Sequence, residues 1–341
     1  MTTLATRLTG ELQPRSLPRG KIGEAMFCES RLLRMKTTRR SFLGALTAGA
    51  VCSAFAWEPR AQQLPIAFST LGCPAWDFAK ILDFAAANGF AAIELRGLQG
   101  NLDLPSHPAF TPDHLEQTKQ AISTHKLRIA CVSSSSEMGE SDPEKRAKGL
   151  ADGRRFINLA QTLQAPYVRV FGKSSDSEHP TTPSVDLKNL VVAGLHELGT
   201  YASSRNVTVL IESHDDFTSA AVLKEVLERA DSPHVGLLWD AFHTFATSNE
   251  SPEVTVNALK PWIRHTHLKD AVGGGPNRKY VLTGRGNIPV RRQIEVLQQA
   301  GYKGYYCFEW EKVWHPELDD PEIAIADYAR FMREYFAELK S

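Results

Sequence analysis

Four short apolar runs in the second half of this 341-residue chain end in side chains that can bind a cation or move a proton. VTVLI leads into Glu212-Ser213-His214, and VGLLW into Asp240-Ala241-Phe242-His243. A third run ends in His265-Thr266-His267-Leu268-Lys269-Asp270, and YYCF leads into Glu309-Trp310-Glu311. The steps from Glu212 to Asp240, His267 and Glu309 are 28, 27 and 42 residues; the first two suit one strand-plus-helix unit, the third a unit with an insertion. Adjacent parallel strands lie roughly 4.8 Å apart, so four such side chains can meet around one ion. Three carboxylates gathered without a cation would raise one another's pKa. A divalent metal relieves this. Three oxygen donors and one imidazole suit Mn²⁺ first, with Mg²⁺, Co²⁺ and Zn²⁺ also compatible. Taken singly, each acid reads equally well as a helix cap or a loop residue; four consecutive strands ending alike favour a shared site.

The elements that must position these groups are legible from residue 64 onward. Strands are expected at 65–70, 91–95, 127–133, 166–171, 206–211, 234–239, 263–268 and 304–309. Between and after them, helical patterns run at about 76–88, 112–125, 143–163, 185–204, 218–229, 252–260, 289–300 and 321–339. Eight strands, each followed by a helix, predict a closed α/β barrel, a (β/α)8 TIM barrel, as one domain over 64–339. In such a barrel the chemistry sits at the C-terminal ends of the strands. Thr111-Pro112, Ser251-Pro252 and Asp320-Pro321 place a capping side chain before a first-turn proline, and Gly89 and Gly301 suit helix ends. No GxGxxG follows the first strand and no GxxxxGK[ST] occurs, which weakens a nucleotide-binding reading. The segment 271–288 is too long for a plain loop, and 278–287 is expected to form a hairpin or lid over the barrel mouth.

The stretches AIELRG (92–97), LIESHDDF (210–217), LLWDAFH (237–243), HTHLKD (265–270), GRGNI (284–288) and FEWE (308–311) resemble the xylose isomerase-like barrels of the sugar phosphate isomerases and epimerases. The resemblance spans about 64–339. It implies metal ligation by Glu212, Asp240, His267 and Glu309, and contact of His243 with a substrate oxygen. It also implies a Gly-x-Gly after the seventh strand; here x is Arg285, often an acid in the family, so its substrate contact is expected to differ.

Other groups are assigned from position. Glu94 and Arg96 end the second strand and could reach a sugar hydroxyl or carboxylate, or form a rim ion pair. His214 could support the metal or bond substrate, and Lys269 could stabilise an enolate. His265 shares the interior face of His267, and an inward Arg169 needs an acid that the site could supply. The expected reaction is proton abstraction beside a carbonyl through a metal-stabilised enediolate, with Glu212 and Glu309 as the proton-moving groups, giving a sugar isomerase or epimerase. Alternatives are a lyase or dehydratase acting on a keto-sugar, keto-glycoside or inosose, and a non-catalytic sugar-binding barrel. An endonuclease IV-type nuclease is disfavoured, because the second and third strands end without the added histidines that its further metals need.

The first 63 residues read differently. Thr38-Arg39-Arg40-Ser41-Phe42-Leu43, a short apolar stretch and Ala54-Phe55-Ala56 resemble a twin-arginine export signal, placed at 35–61. Residues 1–34 are basic, without apolar periodicity, and read as a disordered or non-native extension starting upstream of Met35. The signal implies passage through the twin-arginine translocase to the periplasm, and makes a free or oxidised sugar a better substrate than a phosphorylated one. Lys plus Arg and Asp plus Glu are 39 each, so no bulk charge favours nucleic acid, and no apolar run reaches a membrane span. Cys73, Cys131 and Cys307 are widely spaced without a CxxC and read as buried small residues. A homo-oligomer is left open.

Overall fold

Runs that are apolar on both faces demand cover on both sides, and the fold supplies it with a closed parallel barrel inside a ring of helices. The computed structural model describes residues 63–173, 181–274 and 277–339. The extension assigned to 1–34 and the export signal assigned to 35–61 lie outside these residues. The first seven strands are β1 (Leu64–Ser69), β2 (Phe90–Leu95), β3 (Arg128–Glu137), β4 (Tyr167–Phe171), β5 (Thr208–Glu212), β6 (Val235–Asp240) and β7 (Ile263–Leu268). A hairpin of β8 (Asp270–Val272) and β9 (Lys279–Val281) comes next, then β10 (Tyr306–Phe308) as the eighth barrel strand. Around the barrel the order is β1-β10-β7-β6-β5-β4-β3-β2, with β1 closing on β2. Every barrel pairing is parallel; Ile66, Ala67 and Phe68 of β1 stand against Tyr306, Cys307 and Phe308 of β10.

The outer layer contains α1 (Phe78–Ala87), α2 (Pro112–Thr124), α3 (Pro143–Thr162), α4 (Val185–Ser203) and α5 (Ala220–Ala230). After β6 come α6 (Ala241–Ala246) and α7 (Pro252–Leu259), then α8 (Val290–Gln299) and α9 (Pro321–Glu338). Prolines occupy the first turns of α2, α7 and α9 as expected, but only Ser251 of the three expected caps accepts from its helix, at Val254 N (3.4 Å). Thr111 instead donates to Pro108 O, and Asp320 lies 3.4 Å from Lys312 Nζ. Gly89 and Gly301 succeed α1 and α8 with φ of 79° and 80°, a conformation that costs glycine nothing. No described helix is long and apolar enough to cross a membrane.

Three sequence expectations change in detail. β3 runs four residues past its expected end at 133, through Ser134 and Ser136, because Ser134 Oγ donates to Arg169 O (2.7 Å) and Arg169 Nη1 donates to Ser134 O (2.8 Å). The six-residue α6 begins at Ala241, capped by Asp240, and has no counterpart among the expected helices. The hairpin pairs Asp270, Ala271 and Val272 with Val281, Tyr280 and Lys279, so its first strand precedes the segment assigned to it. Asp270 anchors the chain beyond the hairpin: its buried carboxylate accepts from the backbone N–H of Ala271, Gly284, Gly286 and Ile288 at 2.8, 2.9, 2.8 and 3.1 Å. A Cβ on Gly286 would fall 2.1 Å from that carboxylate, so the close approach requires glycine. Cys73, Cys131 and Cys307 are free and buried.

Candidate active site

Side chains alternate along a strand, so the inward positions at the upper ends of β5, β6 and β7, with the residue just past β10, face one space. Register pairs Asp240 with His267 and Cys307 with His267, and Glu309 N donates to Leu268 O. The ends of β5 and β6 are tied by Ser213, whose hydroxyl accepts from Asp240 N (2.7 Å) and donates to Asp240 O (3.1 Å). Glu212, Asp240, His267 and Glu309 are all buried, and one ligand atom from each lies within 4.8 Å of the others. His267 Nδ1 is 2.8 Å from Glu212 Oε1, 3.1 Å from Glu309 Oε1 and 4.0 Å from Asp240 Oδ2.

Asp240 divides its two oxygens. Oδ1 accepts from Phe242 N and His243 N at the start of α6, which leaves Oδ2 facing the cluster. Lys269 Nζ approaches Oδ2 to 2.8 Å, yet out of hydrogen-bond alignment, so this buried oxygen keeps unused acceptor capacity. Three carboxylate oxygens and one imidazole nitrogen converging on a single point, one oxygen unsatisfied, fit a divalent cation. Glu212 Oε2 is paired with Arg169 Nε at 3.1 Å, which supplies the acid that the inward arginine needed.

The electrostatics arise from burial and from these contacts. Burial favours a protonated Asp240, and Glu309 and Glu212 reinforce it against Lys269, so its pKa rises to about 6. Burial works the same way on Glu212, but Arg169 and His267 outweigh it and hold this carboxyl below the usual range. Glu309 lies well below that range, because His267 and Lys269 overcome its burial. His267 is the converse: burial opposes its charge, yet Glu309, Glu94 and Glu212 push its pKa well above that of a free imidazole. Without a metal, His267 and Lys269 therefore carry the positive charge that the acids require.

The remaining expected residues divide between this cluster and more distant positions. Lys269 sits at the cluster, with Nζ 2.5 Å from Glu309 Oε2 and 2.7 Å from Glu311 Oε1. His243 is buried, with Nε2 unbonded and 3.6 Å from Asp240 Oδ2; burial and nearby His214 and Lys269 hold it neutral. His214 packs edge-on against it at 4.4 Å between centroids and lies 3.0 Å from Asp215 Oδ1. Arg96 is buried, and its Nη1 has no hydrogen-bond partner among the described residues. Glu94, expected to reach substrate, is instead fully buried, and its Oε2 lies 2.9 Å from His265 Nε2 and 2.8 Å from His267 Nε2. Arg285, also expected at substrate, is 58% exposed and pairs with Asp327 of α9 at 3.0 Å; the backbone beside it is turned by the Asp270 anchor. Two partners were not singled out from sequence, Ser213 and Glu311. The alternation in FEWE, which puts Glu309 and Glu311 on one face, was the available signal for the second.

Comparison with known proteins agrees with this architecture. The sequence profile of the family described as Xylose isomerase-like TIM barrel matches residues 82–335. An inosose dehydratase of Geobacillus thermodenitrificans is 26% identical over 64% of this chain and 79% of its own length. Inosose dehydratases of several Bacillus strains are matched over about half of their length, 52–54%. Among solved structures, the 3-keto-D-glucoside 4-epimerase of E. coli superposes with a TM-score of 0.64 at 17% identity, covering 80% of this chain and 100% of that one. The IOLI protein with a bound zinc atom gives 0.65 at 16% identity, covering 81% and 99%. The chain belongs to the xylose isomerase-like TIM barrel family.

Proposed function

We propose that this protein is a divalent-metal-dependent sugar isomerase or epimerase that removes and returns a proton beside a substrate carbonyl. The observation that carries this reading is the convergence of Glu212, at the end of β5, and Glu309, just past β10, on the point marked by His267 Nδ1 (2.8 and 3.1 Å). Glu212, Asp240, His267 and Glu309 would hold the ion, Mn²⁺ first. When bound, it supplies Lewis-acid polarisation of vicinal substrate oxygens. Glu212 and Glu309 flank Asp240 and His267, so one carboxylate can take a proton from a carbon and the other can return one. Return to the same carbon from the opposite face inverts it; return to the neighbouring carbon isomerises the sugar. Lys269 faces the charge that develops on substrate oxygen. Neutral His243 can bond a hydroxyl, assisted by His214, and Arg96 can bond an oxygen remote from the ion.

A second reading, loss of a β-hydroxyl after the same proton abstraction, is favoured by the inosose dehydratases among the curated relatives. Incubation of the metal-loaded protein in D2O with free ketoses, keto-glycosides and inososes tests both. Label entering a C–H bond beside the carbonyl supports proton abstraction, and the product separates isomerase from dehydratase. Glu212→Gln and Glu309→Gln should each abolish the exchange; exchange that survives both substitutions removes the assignment. We also place the enzyme in the periplasm, on the strength of Arg39-Arg40 and the apolar stretch after them. Fusing 35–61 to a reporter exported only when folded tests this, and cytoplasmic retention would readmit phosphorylated substrates.

A further inference from the structure

Two groups of potential ligand atoms share His267. Glu212, Asp240, His267 and Glu309 form one, and Glu94, His265, His267 and Cys307 form the other, each with its atoms within 4.8 Å of one another. The imidazole reaches the first group through Nδ1 and the second through Nε2. A neutral imidazole carries one proton, and a nitrogen that ligates a metal must offer its lone pair. With Nδ1 committed to the ion, the proton belongs on Nε2, and in a fully buried position it needs an acceptor. Glu94 Oε2 stands 2.8 Å away and is such an acceptor.

The geometry points to Glu94 as the positioning residue of the metal centre: it accepts the Nε2 proton of His267, fixes the tautomer that frees Nδ1, and sets the plane of the ring. The inference rests on the metal-binding part of the proposed function. Glu94 is itself held. The same Oε2 accepts from His265 Nε2 at 2.9 Å, and the His265 ring lies over Tyr167 with centroids 6.5 Å apart. β2 lies three strands round the barrel from β7, in the half that carries none of the four ligands, so this contact braces a ligand on the metal-bearing half against the other half. Around the lower group the interior positions of β1, β2, β3 and β10 are small, Ala67, Ala92, Ala130 and Cys307, all buried. A carboxylate acceptor also makes the imidazole a stronger donor to the ion, which a neutral amide in its place would do less. Cys307 is buried in the lower group and is not among the four residues proposed to hold the ion.

The test uses the full chain stripped of metal and titrated with Mn²⁺, free ion being read by electron paramagnetic resonance. Glu94→Gln should weaken binding about 10- to 100-fold with circular dichroism unchanged, and Cys307→Ser should bind like the wild type. Independently of any variant, ¹⁵N-histidine spectra of the Zn²⁺-loaded wild type should show one ligated imidazole with its proton on Nε2, shifted downfield by the carboxylate. Wild-type affinity in a folded Glu94→Gln protein overturns the inference, as does ligation of His267 through Nε2. A second ion per chain that is lost in Cys307→Ser also overturns it, since the lower group would then be a metal site. If the wild type binds no ion, the metal reading falls and takes this inference with it; equal binding by wild type and Glu94→Gln removes the inference alone.

Discussion

Metal binding at this site should be strongly proton-linked, with a sign and size set by the cluster. His267 Nδ1 lies within 3.1 Å of two carboxylates, and Glu309, Glu94 and Glu212 hold its pKa well above that of free imidazole despite burial. The ion must displace that proton at neutral pH, so affinity falls as pH falls, by about tenfold per unit for one proton. Asp240, raised to about 6 by its burial and by Glu309 and Glu212, is ionised above that value and protonated below it, so a second proton is displaced once pH drops past it. From pH 7 to pH 5 the His267 proton contributes about a hundredfold and Asp240 about a further tenfold. The total is roughly a thousandfold, or about 4 kcal/mol. Lys269 contributes nothing to this slope, because its pKa is raised well above the usual amine range by Asp240, Glu309 and Glu311 in spite of burial. Calorimetric titration with Mn²⁺ in buffers of different ionisation enthalpy counts the protons directly. About one should be released near pH 7.5 and close to two near pH 5.5. Release of none at pH 7.5, or an affinity flat between pH 7 and pH 5, refutes the charge assignment of His267.

Two further outcomes concern stability. Arg169→Met removes the partner of Glu212 Oε2 from a buried site, so the metal-free protein should lose about 3–5 kcal/mol in denaturant unfolding, most of it recovered with saturating Mn²⁺. An equal loss with and without metal would mean that Arg169 acts through packing rather than through the Glu212 charge. Asp270→Ala leaves four backbone N–H groups without their acceptor and should cost about 2–4 kcal/mol, with faster amide exchange confined to Ala271 and 279–288.

The residues that end strands were readable because a parallel strand covered on both faces is a run of apolar residues, and a polar residue at its C-terminal end stands out. Glu212, Asp240 and Glu309 announce themselves this way, and His267 by its spacing from Asp240. Direction was harder to read. Glu94 also ends a strand, yet nothing in AIELRG says that its carboxylate turns down to two imidazoles across the barrel while Arg96, two residues on, keeps an unbonded Nη1. Arg285 was assigned by its place between two glycines, and the turn imposed by Asp270 sends it to Asp327 instead. α6 is six residues long, too short for helical periodicity, and its start is fixed by Asp240 acting as cap and site residue at once. The length of β3 is hidden in the sequence because a serine run is not a typical strand pattern; the hydroxyl and carbonyl contacts of Ser134 to Arg169 are tertiary and leave no local pattern.

The closure of β1 on β10 sets an order of assembly. Ile66, Ala67 and Phe68 cannot find Tyr306, Cys307 and Phe308 until some 240 residues of intervening chain have been made. A contact of such sequence separation is slow to form. During synthesis, which exposes the amino-terminal half first, β1 presents an unpaired edge for most of the time the chain is being made, and such an edge invites pairing with other chains. All four residues proposed to hold the ion lie in the later-made half, and the last of them, Glu309, directly succeeds the closing strand. The site is therefore completed in the same event that seals the barrel, and a chain arrested before Tyr306 would have neither.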